Sequence, residues 1–398
     1  MKLSFRKAFV LILAFFSFFP AFCCTSAIFT GKCTPDGRPL MWKHRDTDNQ
    51  NNCIRYFAPS EDMDIKYGFI ALMNSNEDDD AVWTGTNSEG FSIMNTTSYN
   101  LHEGTDRGMD KEGKLMFTAL SKCRNIKDFE EMLSDMPRPI GVEANFGIID
   151  AEGGAAYYEV NNIGWIKVDA NDPEIAPQGY LIYTNYSYTG TVDKGSGYER
   201  YASARQIIER RWIEGGDFTP QWIFSNLSRS YYHSILGYDL ACNDEAVKNG
   251  WFIDQDFIPR RISSASIVLK GVKKGENPLL TVMWTILGYP PCGIAVPMLV
   301  AGGDILPEYM TAGADGTSEM CNMALARKTK VFPLKRGNGE HYFRISEALR
   351  YIEVLAPYEA ANFEMTDRFL DSCYKDNKVE KNNLKHLYSE IRTGSEVK

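Results

Sequence analysis

The sequence lacks the common signatures of metal and nucleotide enzymes. It contains no C-x-x-C pair and no H-E-x-x-H, and its histidines show no metal-ligand spacing (His44, His102, His233, His341 and His386). It also contains no G-x-S-x-G elbow, no G-x-G-x-x-G and no P-loop. A serine α/β-hydrolase is therefore disfavoured, and we predict that the protein needs no cofactor and no metal.

Strong positive charge and long hydrophobic runs are also missing. The 398 residues carry a formal net charge of −9, with 44% hydrophobic and 24% charged residues. This composition is typical of a soluble globular protein and argues against nucleic acid or an anionic membrane surface as the main partner. The longest apolar run, Ala8–Phe19, is shorter than the roughly 18–20 residues that span a bilayer. We predict no membrane span.

The apolar run instead has the pattern of a secretory signal. Positive residues precede it, Pro20 breaks it, and Ala21-Phe22-Cys23 places small residues where signal peptidase reads. We predict a signal peptide at residues 1–23 and a mature chain at 24–398, secreted or periplasmic. A retained membrane anchor and a lipoprotein bearing lipid on Cys23 or Cys24 are the alternatives. The bulky Phe22 fits lipoprotein processing badly.

Cleavage after Cys23 would make Cys24 the first residue of the mature chain. One residue would then carry both a thiol nucleophile and an α-amine, whose pKa of about 7.7–8.0 suits a base. Seven cysteines remain besides Cys23 and Cys24, an odd number, so a dense disulfide framework is not implied. The leader thus predicts an enzyme that uses its own first residue as nucleophile and base.

Hydrophobic periodicity predicts strands grouped around a few helices. The strands are expected near 27–30, 81–85, 90–96, 144–149, 155–160, 179–184, 264–270 and 279–287. Helices are expected around 115–123, after an Asn125 cap, from 198 to 213, and near 343–357 and 366–393. This order favours two stacked antiparallel sheets covered by helices in one domain, with a charged helical part from about residue 340.

Several short motifs occur in a recognisable order. Cys24-Thr25-Ser26, Arg45-x-x-Asp48, the segment 87–95, Tyr183-Thr184-Asn185 and Glu199-Arg200-Tyr201 resemble the choloylglycine hydrolase and penicillin V acylase superfamily. The chain is most similar to the linear-amide hydrolases grouped with acyl-CoA:6-aminopenicillanic-acid acyltransferases. The resemblance covers roughly residues 24–300. It implies an α+β fold, the four-layer αββα sandwich of N-terminal nucleophile (Ntn) hydrolases.

The resemblance implies roles for three residues near the nucleophile. Cys24 matches the nucleophile that also supplies the base. Arg45 matches an arginine that lowers the thiol pKa, and Asp48 matches the aspartate that holds the α-ammonium. Arg45 and Asp48 need not share a face of an extended segment, but a turn at Asp46-Thr47 would bring both to Cys24. Taken alone, the segment around them also fits a solvated loop.

Three further residues match positions that complete such a site. Asn95 matches the position whose backbone amide faces the oxyanion, Asn185 the side-chain oxyanion donor, and Arg200 the second active-site arginine. Each has a plainer alternative. Both asparagines begin nominal glycosylation sequons and also fit ordinary strand ends, and Arg200 could simply pair with Glu199.

The substrate is not fixed by these motifs. The superfamily acts on bile-salt conjugates, penicillin V, N-acyl amino acids and fatty-acid amides, and we predict a small-molecule linear N-acyl amide. A dipeptidase is the first alternative, since Cys24-Thr25-Ser26 and Pro35-Asp36-Gly37 also resemble N-terminal-cysteine dipeptidases. Its substrate would carry a free α-amine and would need an acidic anchor. A non-catalytic, lipidated surface binding protein is the second, and association into homo-oligomers is left open.

Overall fold

The computed structural model describes residues 23–77, 80–101, 110–254, 256–337 and 340–397. The leader residues 1–22 lie outside the described residues, so the expected signal peptide stays a prediction. Cys23 and Cys24 are both described.

Eighteen strands and eight α-helices make up the described chain. The strands are β1 (Thr25–Phe29), β2 (Leu40–Asp46), β3 (Asn52–Phe57), β4 (Phe69–Asn74), β5 (Thr84–Asn87), β6 (Ser92–Thr97), β7 (Ala144–Ile149), β8 (Ala155–Val160), β9 (Trp165–Asp169), β10 (Tyr180–Tyr183), β11 (Tyr232–His233), β12 (Tyr238–Asp239), β13 (Trp251–Phe252), β14 (Ser263–Lys270), β15 (Val282–Leu287), β16 (Val296–Leu299), β17 (Leu334–Lys335) and β18 (His341–Arg344). The helices are α1 (Glu112–Lys122), α2 (Ile126–Asp135), α3 (Tyr198–Ile213), α4 (Pro220–Ile223), α5 (Asp244–Asn249), α6 (Glu319–Val331), α7 (Ile345–Asp376) and α8 (Lys381–Glu390).

Two large antiparallel sheets form the centre of the fold. One has six strands in the order β10-β1-β2-β14-β15-β16, and the other has seven in the order β3-β4-β5-β6-β7-β8-β9. The strand that follows Cys24, β1, lies inside the six-stranded sheet, where it pairs with β10 and β2. Cys24 is therefore fixed at the end of an interior strand.

The sheets stack face to face and helices cover both outer faces. Tyr157 on β8 donates a 2.9 Å hydrogen bond to Ser26 Oγ on β1 and so links the two sheets. Apolar residues of α1 and α2 share one core with the seven-stranded sheet. On the other side, Phe363 of α7 stacks on Trp284 of β15, with ring centroids 4.0 Å apart. The predicted αββα sandwich is confirmed.

The periodicity located several elements well. Strands β7 and β8 and helix α3 have the predicted bounds, and Asn125 caps α2 by accepting a 3.0 Å hydrogen bond from the Asp128 amide. Strands β2, β3 and β4 were not predicted. All seven side chains of β2 are buried, charged ones included, so the strand shows no alternation of apolar and polar residues.

The C-terminal helices differ from the prediction. A single helix, α7, runs through 345–376 where two were expected, and it passes through Pro357. A proline inside a helix costs about 3 kcal/mol. Contacts beyond it offset that cost, since Glu359 forms a buried ion pair with Arg229 at 2.7 Å and Phe363 packs on the sheet. The helix ends at Asn377, which adopts a left-handed conformation, and α8 follows.

The described residues show neither a membrane-spanning helix nor a cluster of metal ligands. None of the helices found there is both long and apolar enough to cross a bilayer. In the same ranges, no three histidine, cysteine, aspartate or glutamate residues gather as they would around a metal ion.

Candidate active site

Cys24 directly precedes the first residue of β1, and 6% of its surface is exposed. Its backbone is held by Arg200, the third residue of α3, whose Nη1 donates to the Cys24 carbonyl and to Thr25 Oγ1, both at 2.8 Å. Arg200 is fully buried, and burial together with the nearby Arg260 guanidinium lowers its pKa. Arg200, expected as the second active-site arginine, thus contacts the main chain of Cys24, the predicted nucleophile.

Arg200 also connects Cys24 to Asn185. The Nη2 atom of Arg200 donates to Asn185 Oδ1 at 2.9 Å, and Asn185 Nδ2 donates to the Thr97 carbonyl at 2.9 Å. These contacts fix the side-chain amide of Asn185 between α3 and the end of β6. The structure therefore brings Asn185 and Arg200 together with Cys24.

Arg45 occupies a buried position on β2. Its guanidinium donates to Asn52 Oδ1 and to Asn74 Oδ1, the latter at 3.0 Å, and lies over the Trp83 ring, 4.5 Å from its centroid. Burial lowers the pKa of Arg45 to about 10, and the Cys24 thiolate opposes that shift. The Arg45 guanidinium thus lines the same cavity as Cys24, and its effect on the thiol stays a prediction.

Lys43 is a second basic side chain at the same place, and no sequence motif indicated it. Its Nζ donates to the Trp83 carbonyl at 2.6 Å and to Asn95 Oδ1 at 2.7 Å. Burial lowers the pKa of Lys43 to about 7, with the Cys24 charge opposing and the Arg45 charge adding to the shift. Side chains two residues apart share a face of a strand, so recognising β2 would have placed Lys43 beside Arg45.

The carboxylate beside this cluster is Asp46, and this corrects the placement expected for Asp48. Asp46 is buried, accepts a 2.6 Å hydrogen bond from Ser263 Oγ and pairs with Arg260. Asp48 is exposed and lines a separate surface hollow with Asn49 and Gln50. The reason is that β2 stays paired with β14 through Asp46, so the chain leaves the sheet before residue 48.

Arg260 was also missed, since it is 236 residues beyond Cys24. Its Nη2 donates to the Cys23 carbonyl at 3.3 Å as well as to Asp46. Burial acts to lower the pKa of Arg260, but its interactions with the Asp46 carboxylate and with Cys23 together raise the pKa. Nothing near Arg260 in the sequence indicates this contact.

His44 has a supporting position. It faces away from Lys43, and its Nε2 lies 2.9 Å from Ser263 Oγ. Burial lowers its pKa to about 4, so the imidazole is neutral near pH 7. It therefore helps to hold Ser263 and Asp46 without adding charge.

These side chains enclose a small cavity. Its volume is about 20 Å³, enough for one water molecule. The residues that line it are Cys24, Lys43, Arg45, Asp46, Trp83, Asn95, Thr97, Asp110 and Glu112. Of the predicted site residues, Cys24, Arg45 and Asn95 line the cavity, Asn185 and Arg200 reach it through hydrogen bonds, and Asp48 does not. A thiol that shares a cavity with the buried Arg45 guanidinium and with a lysine of pKa about 7 can act as a nucleophile on a carbonyl carbon.

Searches with the sequence found no matching protein-family model and no matching curated protein. Among solved structures, an N-acylethanolamine-hydrolyzing acid amidase ortholog of Caenorhabditis elegans matches with a TM-score of 0.41 and 13% identity, over 62% of this chain and 92% of that chain. A mutant conjugated bile acid hydrolase from Clostridium perfringens matches with a TM-score of 0.38 and 12% identity, over 66% and 89% of the two chains. Penicillin V acylase from Agrobacterium tumefaciens matches with a TM-score of 0.33 and 11% identity, over 69% of this chain and 86% of that chain.

Likenesses at this level do not identify an activity or a substrate. The closer resemblance to the acyltransferase group, stated from the sequence motifs, stays a prediction.

Proposed function

We propose that the protein is a cysteine amide hydrolase that cleaves linear C–N bonds with Cys24 as its nucleophile. The observation that supports this most is the position of the thiol, which shares a buried cavity with Lys43 and Arg45 while Arg200 holds its backbone. Cations near a thiol favour the thiolate, which is the reactive form.

The proposed reaction has two steps. The Cys24 thiolate attacks the amide carbonyl carbon, the C–N bond breaks, and the leaving amine takes a proton from the Cys24 α-ammonium. Water then adds to the resulting thioester, the C–S bond breaks, and a carboxylic acid and the free thiol are released. An amine in place of water would give acyl transfer. The α-ammonium exists only if the chain is cut after Cys23, so the proposal includes secretion and removal of the leader.

The oxyanion formed in each step needs fixed hydrogen-bond donors. Asn185 remains our proposed side-chain donor, supported by the way in which Arg200 and Thr97 fix its amide. The backbone amide of Asn95 remains the proposed second donor. Its side chain receives a hydrogen bond from Lys43, which ties this end of β6 to the cavity.

The test is capture of the acyl-enzyme. Purified mature protein is mixed with a panel of chromogenic N-acyl amides, quenched in acid, and examined by intact mass and peptide mapping. We expect one acyl group, carried by the peptide that contains Cys24. The Cys24→Ala variant should carry none, while Cys292→Ala, which removes a buried thiol outside the cavity, should behave as wild type. Turnover without any Cys24 adduct, or turnover by Cys24→Ala, would contradict the proposal.

A further inference from the structure

Both side-chain oxygens that hold the Arg45 guanidinium belong to neutral amides. Its Nη1 donates to Asn52 Oδ1 on β3, and its Nη2 donates to Asn74 Oδ1 on β4 at 3.0 Å. Among the residues that the structure describes, no carboxylate forms an ion pair with Arg45. The positive charge of Arg45 is therefore not cancelled by a direct partner.

Two other largely buried arginines are held differently. Arg229 donates to both carboxylate oxygens of Glu359 at 2.7 Å, and Arg260 pairs with Asp46. Burial lowers the pKa of Arg45 to about 10. It acts in the same direction on Arg260, but the interactions of Arg260 with Asp46 and Cys23 together raise its pKa. A carboxylate partner thus distinguishes Arg260 from Arg45.

The two asparagines form a fixed cradle. Asn52 and Asn74 are directly opposite each other in the pairing of β3 with β4, so their side chains share one face of the seven-stranded sheet. Asn52 is fully buried, and its Nδ2 donates to the carbonyls of Gln50 at 2.9 Å and Ser264 at 3.2 Å. The Nδ2 of Asn74 donates to Glu77 Oε2 at 2.5 Å. With their nitrogens engaged elsewhere, both amides turn their oxygens towards Arg45.

The ionisable groups around Arg45 come from several parts of the fold. Those that act on its charge are Cys24, Asp46 of β2, Glu77 after β4 and Cys321 of α6. Lys43, Asp110 and Glu112 line the cavity that Arg45 shares with the thiol. Glu77 is exposed and contacts Asn74, so one amide separates its carboxylate from the guanidinium.

We propose that Asn52 and Asn74 are positioning residues, which hold Arg45 beside Cys24 through neutral oxygens and so leave its positive charge to stabilise the Cys24 thiolate. A carboxylate in either place would hold the guanidinium equally well but would cancel its charge. This inference rests on the proposed function, because it takes Cys24 as the nucleophile. It assigns to the seven-stranded sheet the task of orienting a cation carried by the six-stranded sheet.

The test follows the Cys24 thiolate without any substrate. The ultraviolet absorbance of thiolate is titrated against pH in the mature protein, and the titration of the matching Cys24→Ala protein is subtracted. Asn52→Asp and Asn74→Asp each place a carboxylate on Arg45. We expect each to raise the midpoint of the titration by about one pH unit, which means about tenfold less thiolate below the midpoint. The value of kcat/KM should fall by the same factor below the midpoint and approach that of wild type above it.

Two matched variants provide the controls. Asn74→Ser keeps a neutral oxygen at the same place and should leave the midpoint unchanged. Asn362→Asp puts a carboxylate at a fully buried position on α7, where Asn362 Oδ1 accepts a 2.8 Å hydrogen bond from the Arg392 amide. It should also leave the midpoint unchanged.

Each other outcome overturns the inference. An unchanged midpoint in folded Asn52→Asp or Asn74→Asp would do so, as would a fall in kcat/KM that is equal at every pH, which is the result of a merely structural role. A similar shift in Asn362→Asp, or an undiminished shift when Asn52→Asp is added to Arg45→Gln, would show that the effect does not pass through Arg45.

The design also covers failure to fold and failure of the proposed function. Asn74 is 6% exposed and lies beside the exposed Glu77, so Asn74→Asp decides if Asn52→Asp does not fold. The titration uses no substrate, whereas the proposed function is judged by acylation of Cys24. The failure of one is therefore distinguishable from the failure of the other.

Discussion

Two buried lysines in this molecule have the same lowered pKa and different surroundings. Burial lowers the pKa of both Lys43 and Lys328 to about 7. Lys328, on α6, donates to Gln50 Oε1 at 2.5 Å and to the Arg261 carbonyl, and lies near the rings of Tyr289 and Phe332. Lys43 donates to Trp83 and Asn95 and lines a cavity.

Both lysines even have thiols nearby. Cys321 and Cys292 lie near Lys328, yet burial raises the pKa of Cys321 to about 11 and raises that of Cys292 as well. Cys24, by contrast, shares a cavity with Lys43 and Arg45. A lowered lysine pKa therefore does not by itself mark an active site. An active site is indicated by three features together: a lysine of lowered pKa, a neighbouring thiol, and a cavity that the lysine and the thiol both line.

The largest expected effect on kcat/KM distinguishes the thiol near Lys43 from the thiols near Lys328. Cys24→Ala should lower kcat/KM for amide hydrolysis by roughly 10⁴-fold or more, because no other group can form the thioester. Cys292→Ala, which removes a buried thiol near Lys328, should keep activity within about threefold. Steady-state kinetics on the best substrate of the panel measures both, and equal losses in the two variants would remove the distinction between the regions.

The next effect concerns the oxyanion. One oxyanion donor is typically worth about 3–4 kcal/mol, so Asn185→Ala should lower kcat roughly a hundred- to a thousandfold while the protein stays folded. Circular dichroism and a thermal unfolding curve provide the control for folding. Near-normal kcat in a folded variant would rule out Asn185 as a donor.

A matched pair of variants tests whether Lys43 differs from Lys328 in its effect on activity. Lys43→Met should lower kcat/KM by about 10–100-fold, since it removes a lysine whose protonated fraction stands beside the Cys24 thiol. Lys328→Met removes an equally buried lysine and should change kcat/KM by less than about threefold. If both variants lose activity in proportion to lost stability, the special position of Lys43 is refuted.

Stability should respond to pH in the same way in both regions. Each lysine titrates near 10.5 when unfolded and near 7 when folded, so between those values the unfolded state binds one more proton. The free energy of unfolding should then rise with pH by up to about 1.4 kcal/mol per unit for each lysine. Urea unfolding from pH 7 to 10 should show a shallower rise in both Met variants than in wild type. An unchanged slope would mean that the lysine is not buried as described.

The smallest expected effect concerns Asp48. Because Asp48 is exposed and outside the cavity, Asp48→Asn should leave kcat/KM within about twofold. A loss of a hundredfold or more would show that the mature protein brings Asp48 to the α-amine after all.

The fold could be predicted further than the site. Regular alternation located β7 and β8, and a capping asparagine located α2. Strand β2 was missed because it buries Lys43, His44, Arg45 and Asp46, residues that on their own indicate a solvated loop. That omission also hid Lys43 and left Asp48 as the expected carboxylate.

Other parts of the site depend on contacts between distant segments. Arg260 meets Cys23 because β14 lies two strands from β1 in the six-stranded sheet, and Glu112 meets the cavity because α1 covers the seven-stranded sheet. No local pattern of residues carries such information. Cys24, Arg45 and Arg200 were found because short motifs, rather than packing, indicated them.

The central claim is that Cys24 is the free first residue of the working enzyme. The most direct test is to express the full chain in a bacterial host and to determine the amino terminus of the exported protein by intact mass and N-terminal sequencing. The account predicts a chain that begins at an unmodified Cys24. A terminus elsewhere, or lipid on the first cysteine, would remove the free α-amine and contradict it.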